Sequence, residues 1–432
     1  MRVILSISAA ILAAVCCAVQ GADAPIGPFL YTSAPQYDPS AELKGLNRFP
    51  KGAAIILVSA SGKQRLAPEL YASADPAVSY DGTQVLFAGK AAADSPWQIW
   101  EAPAAGGTPR QLVHCQTDCT HPLYIPDGRI AYTRASSAGS DIEIVDAKGG
   151  APQRLTFAPG RYVTQDVLRD GRILMENGGE LYTVYPDGTG VESLRCDHGP
   201  HRTGARQVAS GDVIFSVGGR LARFTPALAS QTDVAQPQGE PAGPIAEISQ
   251  DRWLVALRKA NRPFGLYSWT REGSRLDPVE IPAGANAIQP ALLRPRSRAK
   301  QFPSGLVESR TNGNLLCLDA RATKDQPITE AVTAVQVYTR DAAGAAVLLG
   351  RQDVAGDGSF YVQVPADKPL RIELLNAAGH TVRAERAWFW MRPSEQRICV
   401  GCHTGPERSP ENKVPEVLLR SIVPEKLLGA TK

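Results

Sequence analysis

Residues 397 to 406 read RICVGCHTGP, and within them Cys399, Cys402 and His403 form a CxxCH. Two thiols three positions apart, with an imidazole directly after the second, suit the attachment of haem c. The thiols form thioethers with the haem vinyl groups and His403 reaches the iron, because one tight turn sets all three beneath the same porphyrin. A zinc knuckle needs a second ligand pair at matching spacing, and a thioredoxin-like pair needs a strand-to-helix setting; the flanking sequence offers neither. The residues after His403 include no Met and no further His. The cover for the ring and the sixth iron position are therefore expected from the preceding chain. Met175, Met391, His114, His121, His198, His201, His380, Tyr338 and Tyr361 are the candidates for that position. The stretch AWFWMRP (387 to 393) either lines the haem, with Trp388 and Trp390 on one strand face, or forms plain core.

A second concentration of soft ligands lies in VHCQTDCTHPLY (113 to 124) and CDHGPHRTGAR (196 to 206). Beyond residue 24 the chain has six Cys and six His, and seven of these twelve fall here: His114, Cys115, Cys119, His121, Cys196, His198 and His201. Thiolate and imidazole suit zinc, copper or iron, so Cys115, Cys119, His121, Cys196, His198 and His201 are candidate ligands of a second metal. A local Cys115–Cys119 disulfide, a pairing of either with Cys196 or Cys317, and unpaired structural residues stand beside that reading. Cys317, in LLCLD, reads most simply as a buried core thiol.

The elements that must position these residues are strands. A turn followed by a short apolar run recurs in YDGTQVLFAG, PDGRIAYTR, RDGRILMEN, SGDVIFSVG and QDRWLVALR. Anchored at Asp81, Asp127, Asp170, Gly211 and Asp251, the steps are 46, 43, 41 and 40 residues, and KGAAIILVS from Lys51 is a shorter first copy. A four-strand unit repeating at this period cannot bury both faces alone, so the spacing predicts an all-β fold opening with a six-bladed β-propeller over 25–290. A two-sheet sandwich of the same hairpins is the competing arrangement. Both Cys/His segments fall between the last strand of one blade and the first of the next, which places them on one mouth of the ring. From about Gln301 the pattern shifts to alternating strands with Gly and Asn turns, predicting a small β-sandwich over 301–395 and then a haem-attachment segment and tail over 396–432. Its piece GDGSFYVQVPADKPLRIELLNAAG resembles transthyretin-like modules of exported enzymes.

The chain opens MRVILSISAAILAAVCCAVQGADAP, the layout of a secretory signal peptide over 1–24 with cleavage near Ala24. The alternatives are a membrane anchor and, less favoured because Val15 precedes Cys16, a lipoprotein. Export to the periplasm or outside suits both haem attachment and disulfides. After cleavage no run is long and apolar enough to span a bilayer. With 46 Lys plus Arg against 43 Asp plus Glu, the charge balance supplies no reason for a nucleic-acid partner.

The propeller repeats PLYIPDGRIAYTR and ELYTVYPDGTG, followed by VPADKPLRIELLNAAGHTVRAERAWFWMRPSEQRICVGCHTGPERSPENKVP, resemble the alpha subunit of hydrazine synthase and its exported relatives, most specifically from Asp357 to Pro415. The resemblance implies a propeller, a following β module, a catalytic haem at Cys399, Cys402 and His403, and a zinc ion nearby for which the propeller-mouth residues are candidates. The hydrazine-forming member continues into a further haem domain, whereas this sequence carries one CxxCH, so hydrazine formation itself is not expected. The function expected is single-haem redox chemistry on a small molecule, or electron transfer to a partner protein. A propeller interaction module with a structural haem, and a metal-dependent site at the propeller mouth, are the alternatives.

Overall fold

The computed structural model describes residues 25–195, 199–227, 230–323, 327–401 and 411–429. Up to Leu292 its strands form six sheets, five of four strands and one of five. In the middle sheets the strands follow in chain order from the axis outward, so the innermost are Ala72–Val78, Cys119–Tyr124, Tyr162–Val167 and Arg202–Gln207. The second strand of each sheet is apolar on both faces, as in Gln84–Lys90 and Arg252–Arg258, because neighbouring sheets cover it from both sides.

Each sheet packs on the next, and the sixth packs back on the first. The closure was not anticipated from the repeat. Phe29–Ala34, ahead of the first recognised copy, pairs with Ala54–Ser59 on one side and with Asn286–Leu292 on the other. One sheet is thus built from both ends of the propeller sequence, which closes the ring.

The Asp-Gly turns have a local cause. The Asp127 carboxylate accepts the Arg129 backbone N–H at 3.0 Å, and Asp170 and Asp81 do the same for Arg172 and Thr83. The glycine between takes a positive φ, +92° at Gly128 and at Gly171. The sequence therefore writes the same hairpin turn several times, and the strands it joins must stack side by side.

Beyond the propeller two further four-stranded sheets face each other. One holds Ala334–Arg340, Ala346–Asp353, Arg371–Leu375 and Thr381–Ala384. The other holds Asn312–Cys317 and Phe360–Pro365, flanked by two parallel additions, Gln396–Cys399 and Glu425–Lys426. Their common core contains Leu315, Cys317, Val335, Val337, Phe360, Val362 and Met391. The segment expected as a separate haem-bearing tail is thus partly woven into the sandwich, since Cys399 ends one of its strands.

AWFWMRP is split between two duties. Trp390 is fully buried in the apolar core of the fourth propeller sheet, edge-on to Tyr162, and its indole N–H donates to the Gly188 carbonyl at 2.8 Å. Arg392 continues the joint, bonding the Asp187 carbonyl and the Asp367 carboxylate. Among the described residues, no helix is long and apolar enough to cross a membrane.

Candidate functional site

The parallel pairing of Gln396–Cys399 with Asn312–Cys317 sets Leu315 opposite Arg397, Leu316 opposite Ile398 and Cys317 opposite Cys399. The Leu318 N–H donates to the Cys399 carbonyl at 2.9 Å and holds the end of the pair. The chain then turns closely across the 319–322 segment. A β-carbon on Gly401 would lie 2.7 Å from the Ala322 carbonyl oxygen and 2.8 Å from that of Asp319, so the second intervening residue of CVGC has room only for glycine.

Cys399 faces a cavity of about 180 Å³ between the sandwich and the fourth propeller sheet. Leu315, Cys317, Phe360, Ile372 and Leu374 form the sandwich wall; Tyr162, Tyr182 and Val191 form the propeller wall; Trp388 and Phe389 close the end. Glu180, Glu192, Glu385 and Arg397 are the charged groups at its rim. The cavity opens at Cys399 and Gly401 into a groove of about 1050 Å³ that also presents Arg129, Arg172 and Arg195. A flat, largely apolar group matches the apolar slot, and the groove at its mouth carries both arginines and carboxylates, with Arg129 paired to Asp127 and Arg172 to Glu192.

Several groups in the slot are tuned by their surroundings. Burial pushes the Cys399 thiol up from its ordinary range, partly opposed by Arg397. The Tyr182 hydroxyl donates to Glu180 at 2.9 Å; burial, reinforced by that carboxylate, raises its pKa strongly and keeps the phenol protonated. Trp388 lies against the guanidinium groups of Arg340 and Arg371, at 5.3 and 5.2 Å from the ring centre.

None of the described candidates for the sixth iron position lines this cavity. Met391 is packed in the sandwich core and Met175 in the fourth propeller sheet. His380 sits in an exposed turn, the Tyr338 hydroxyl donates to Gln336, and Tyr361 lies near Asn314. His198 lies outside the described residues, as do Cys402 and His403. The residues that do face the slot, Tyr182 with Glu180 and Tyr162, sit on ordinary propeller strands. Glu180 and Tyr182 alternate within ELYTV, but the sister strand GLYSWT carries a tyrosine in the same Leu-Tyr setting, so the signal is too faint to single out from sequence.

The described members of the mouth cluster go to separate places. Cys115 and Cys119 are joined in a disulfide, so neither supplies a thiolate ligand; of the readings left open by sequence, the local disulfide is the one realised. His114 bonds Gln111 on the surface, and His201 is an exposed residue above the Gly178–Gly179 hairpin of the fourth sheet. Cys196 and His198 lie outside the described residues. Among the described residues no three His, Cys, Asp or Glu side chains take up metal-holding geometry.

His121 instead lies at the propeller axis, in a buried polar cluster that sequence reasoning missed. Asp75 holds Arg48 through two bonds of 2.8 and 2.7 Å, accepts Gln289 Nε2 at 2.6 Å and the His121 N–H at 3.2 Å. Burial raises the Asp75 pKa, but Arg48, helped by His121, outweighs it and holds the carboxyl well below the usual range. His121 Nε2 is 3.4 Å from Glu42. Asp75, His121 and Gln289 all take positive φ, between 50° and 59°, on innermost strands, and each precedes a proline. The repeated dipeptides Asp-Pro, His-Pro and Gln-Pro were the sequence trace of this ring.

Residues 315–404 match the family described as the hydrazine synthase alpha subunit middle domain. Hydrazine synthase subunit alpha of Kuenenia stuttgartiensis is 36% identical over 61 residues, which is 14% of this chain and 8% of that protein's length. The solved Kuenenia stuttgartiensis hydrazine synthase superposes with a TM-score of 0.79 at 18% identity, over 92% of this chain and 72% of that one. TolB from Acinetobacter baumannii is more distant, with a TM-score of 0.46 at 15% identity over 61% of this chain and 66% of that one. The architecture of propeller and following β module is therefore shared with the solved hydrazine synthase, and residues 315–404 resemble the middle domain of its alpha subunit.

Proposed function

We propose that this chain is an exported, single-haem c-type protein whose cofactor sits between the sandwich and the fourth propeller sheet. The observation carrying the reading is the position of Cys399, the first thiol of CxxCH, at the end of a sandwich strand and facing an apolar cavity closed by Tyr162, Tyr182 and Trp388. Cys399 and Cys402 would hold the group through thioethers and His403 would be its iron ligand. When bound, haem supplies one-electron chemistry and, where a coordination position is open, binding of a small molecule. The chain's own residues have separate tasks. The slot walls exclude water, Arg397 and the groove arginines suit the acidic edge of the ring, and the Glu180-bound Tyr182 hydroxyl keeps a proton at the cavity wall.

A small-molecule substrate or a redox partner protein completes the reading. The name of the curated relative, a subunit of a larger enzyme, supports a protein partner. Hydrazine formation is not part of the proposal, because that match covers 61 residues and this sequence has one CxxCH.

Expression with the haem-attachment machinery, followed by denaturation, acid-acetone extraction and intact mass measurement, tests the reading. Haem mass retained on the polypeptide and lost in Cys399→Ser is expected; a polypeptide without added mass would sink it. Carbon monoxide added to the reduced protein then separates the roles. Rapid binding marks a reactive haem, and an unchanged spectrum marks an electron carrier or structural group.

A further inference from the structure

The innermost strand of every propeller sheet is interrupted where it passes the axis. Register breaks fall between Ala74 and Ala77, Thr120 and Leu123, Thr164 and Asp166, Thr203 and Arg206, and Ile288 and Ala291, and in the sixth sheet the strand stops at Pro241 and resumes at Ala246. Residues from all six breaks line a cavity of about 70 Å³, which shares no lining residue with the cavity at Cys399. A water takes roughly 10 to 15 Å³ of such space, so there is room for a group of about five non-hydrogen atoms. Two carboxylates, Glu42 and Asp75, and two guanidinium groups, Arg48 and Arg206, face it, together with His121. Asp75 and Arg48 take up each other's charge at 2.8 and 2.7 Å. The other two charged groups are less well matched. Arg206 has Asp166 at 4.0 Å, whose oxygens already accept the Val167 and Gln207 N–H groups. Burial lowers the Arg206 pKa in spite of Asp166, as for a cation whose compensation is incomplete. Beside it, the Gln165 side chain is only 8% exposed; its Oε1 accepts the Ala205 N–H at 3.1 Å, while its Nε2 makes no hydrogen bond among the described residues. Glu42 lies 3.5 Å from Arg48 and 3.4 Å from His121, and these two outweigh the effect of burial and keep it ionised. The Tyr37 hydroxyl, near Gly243, makes no hydrogen bond among the described residues either.

We propose that the propeller axis binds a small zwitterion, an amino acid of about the size of glycine or alanine, with its carboxylate on Arg206 and Gln165 and its ammonium on Glu42 and Tyr37. The charges on the lining select such a ligand. Two carboxylates against two guanidinium groups leave no net charge to attract a lone anion or cation, yet the poorly matched charges are set apart. Arg206 stands at the end shared with an adjoining cavity of about 230 Å³, whereas Glu42 and Tyr37 line the axial cavity alone. At the first end the guanidinium fork and the Gln165 Nε2 are donors that a carboxylate satisfies. At the other the Glu42 carboxylate and the Tyr37 oxygen are acceptors that an ammonium satisfies. A buried amide donor without an acceptor is costly, and a ligand oxygen removes that cost. The Arg206 side chain is 30% exposed, so a solute reaches it. The inference stands apart from the haem reading, because neither its residues nor its test involve the cofactor.

Titration calorimetry of the purified full chain with glycine and alanine, at constant ionic strength, should show saturable binding at one site. Acetate and methylammonium, each carrying one half of the charge pattern, should bind about tenfold more weakly or worse. Arg206→Gln and Glu42→Gln should each weaken glycine binding about tenfold or more, and Tyr37→Phe, which removes one hydroxyl and leaves every charge in place, about threefold. Thermal melting checks that each variant is folded; where a charge variant is not, Tyr37→Phe and the ligand series decide. Acetate or methylammonium binding as tightly as glycine overturns the zwitterion assignment. Glycine affinity unchanged in the folded variants overturns the placement of its two ends. Neither heat nor a saturable rise in melting temperature with glycine or alanine overturns the site itself.

Discussion

Replacing Asp75 by Asn keeps the shape of the axial cluster and removes its charge. The carboxylate accepts from Arg48 twice, from Gln289 and from the His121 backbone, so an amide in its place must turn a donor toward a donor. Arg48, with 11% of its side chain exposed, is left facing only Glu42 at 3.5 Å. Breaking one half of a buried ion pair costs about 3 to 5 kcal/mol, chiefly because the surviving charge stays desolvated. Urea unfolding followed by tryptophan fluorescence should show that loss at pH 7. The pH dependence supplies the sharper check. Asp75 has a folded pKa below its unfolded one, so its contribution is present above the unfolded value, about 3.9, and fades as pH falls through the folded value. The gap between parent and Asp75→Asn should therefore be constant above about pH 5 and narrow in acid. Replacing Arg48 by Met in the Asp75→Asn background should recover part of the loss. A cost below about 1 kcal/mol, the range of an exposed pair, or a gap that widens in acid would refute the reasoning.

Trp390→Ala should cost about 3 to 5 kcal/mol, while Trp390→Phe, which loses mainly the bond to Gly188, should cost nearer 1 kcal/mol; equal losses in urea titrations would contradict the packing account. Burial, with Glu42 adding to it, pushes the Glu176 pKa up to about 8. Its protonated form is thus favoured by folding below the unfolded value, and stability falls as pH rises to about 8. Glu176→Gln should match the parent near pH 4 and exceed it increasingly up to pH 8, as thermal unfolding across that range would reveal. Gly401→Ala should lower covalent haem loading, read by intact mass, while leaving propeller melting unchanged, because the added β-carbon meets only the 319–322 turn. Loading equal to that of the parent would show that the turn has more room than its contacts indicate.

The sequence alone determined what repeats. The Asp-Gly turns are local devices, each completed by a bond from residue i to the backbone two positions on, so they announce hairpins and their period announces a ring. The CxxCH on which the haem proposal rests likewise lies within five consecutive residues. What needed the tertiary structure were the relations between segments far apart in the chain. Phe29–Ala34 meets Asn286–Leu292, Cys317 meets Cys399, and Asp75 meets Arg48, Gln289 and His121, because closing a ring and stacking two sheets set distant residues side by side. The mouth cysteines and histidines looked like one cluster by composition, yet a disulfide took two of them, the axis took His121, and His114 and His201 face outward. Side-chain direction on a strand alternates with each residue and shifts at every bulge. Closeness in sequence therefore could not say which of these groups would converge, whereas the packed sheets place Tyr182, Trp388 and Cys399 around one cavity.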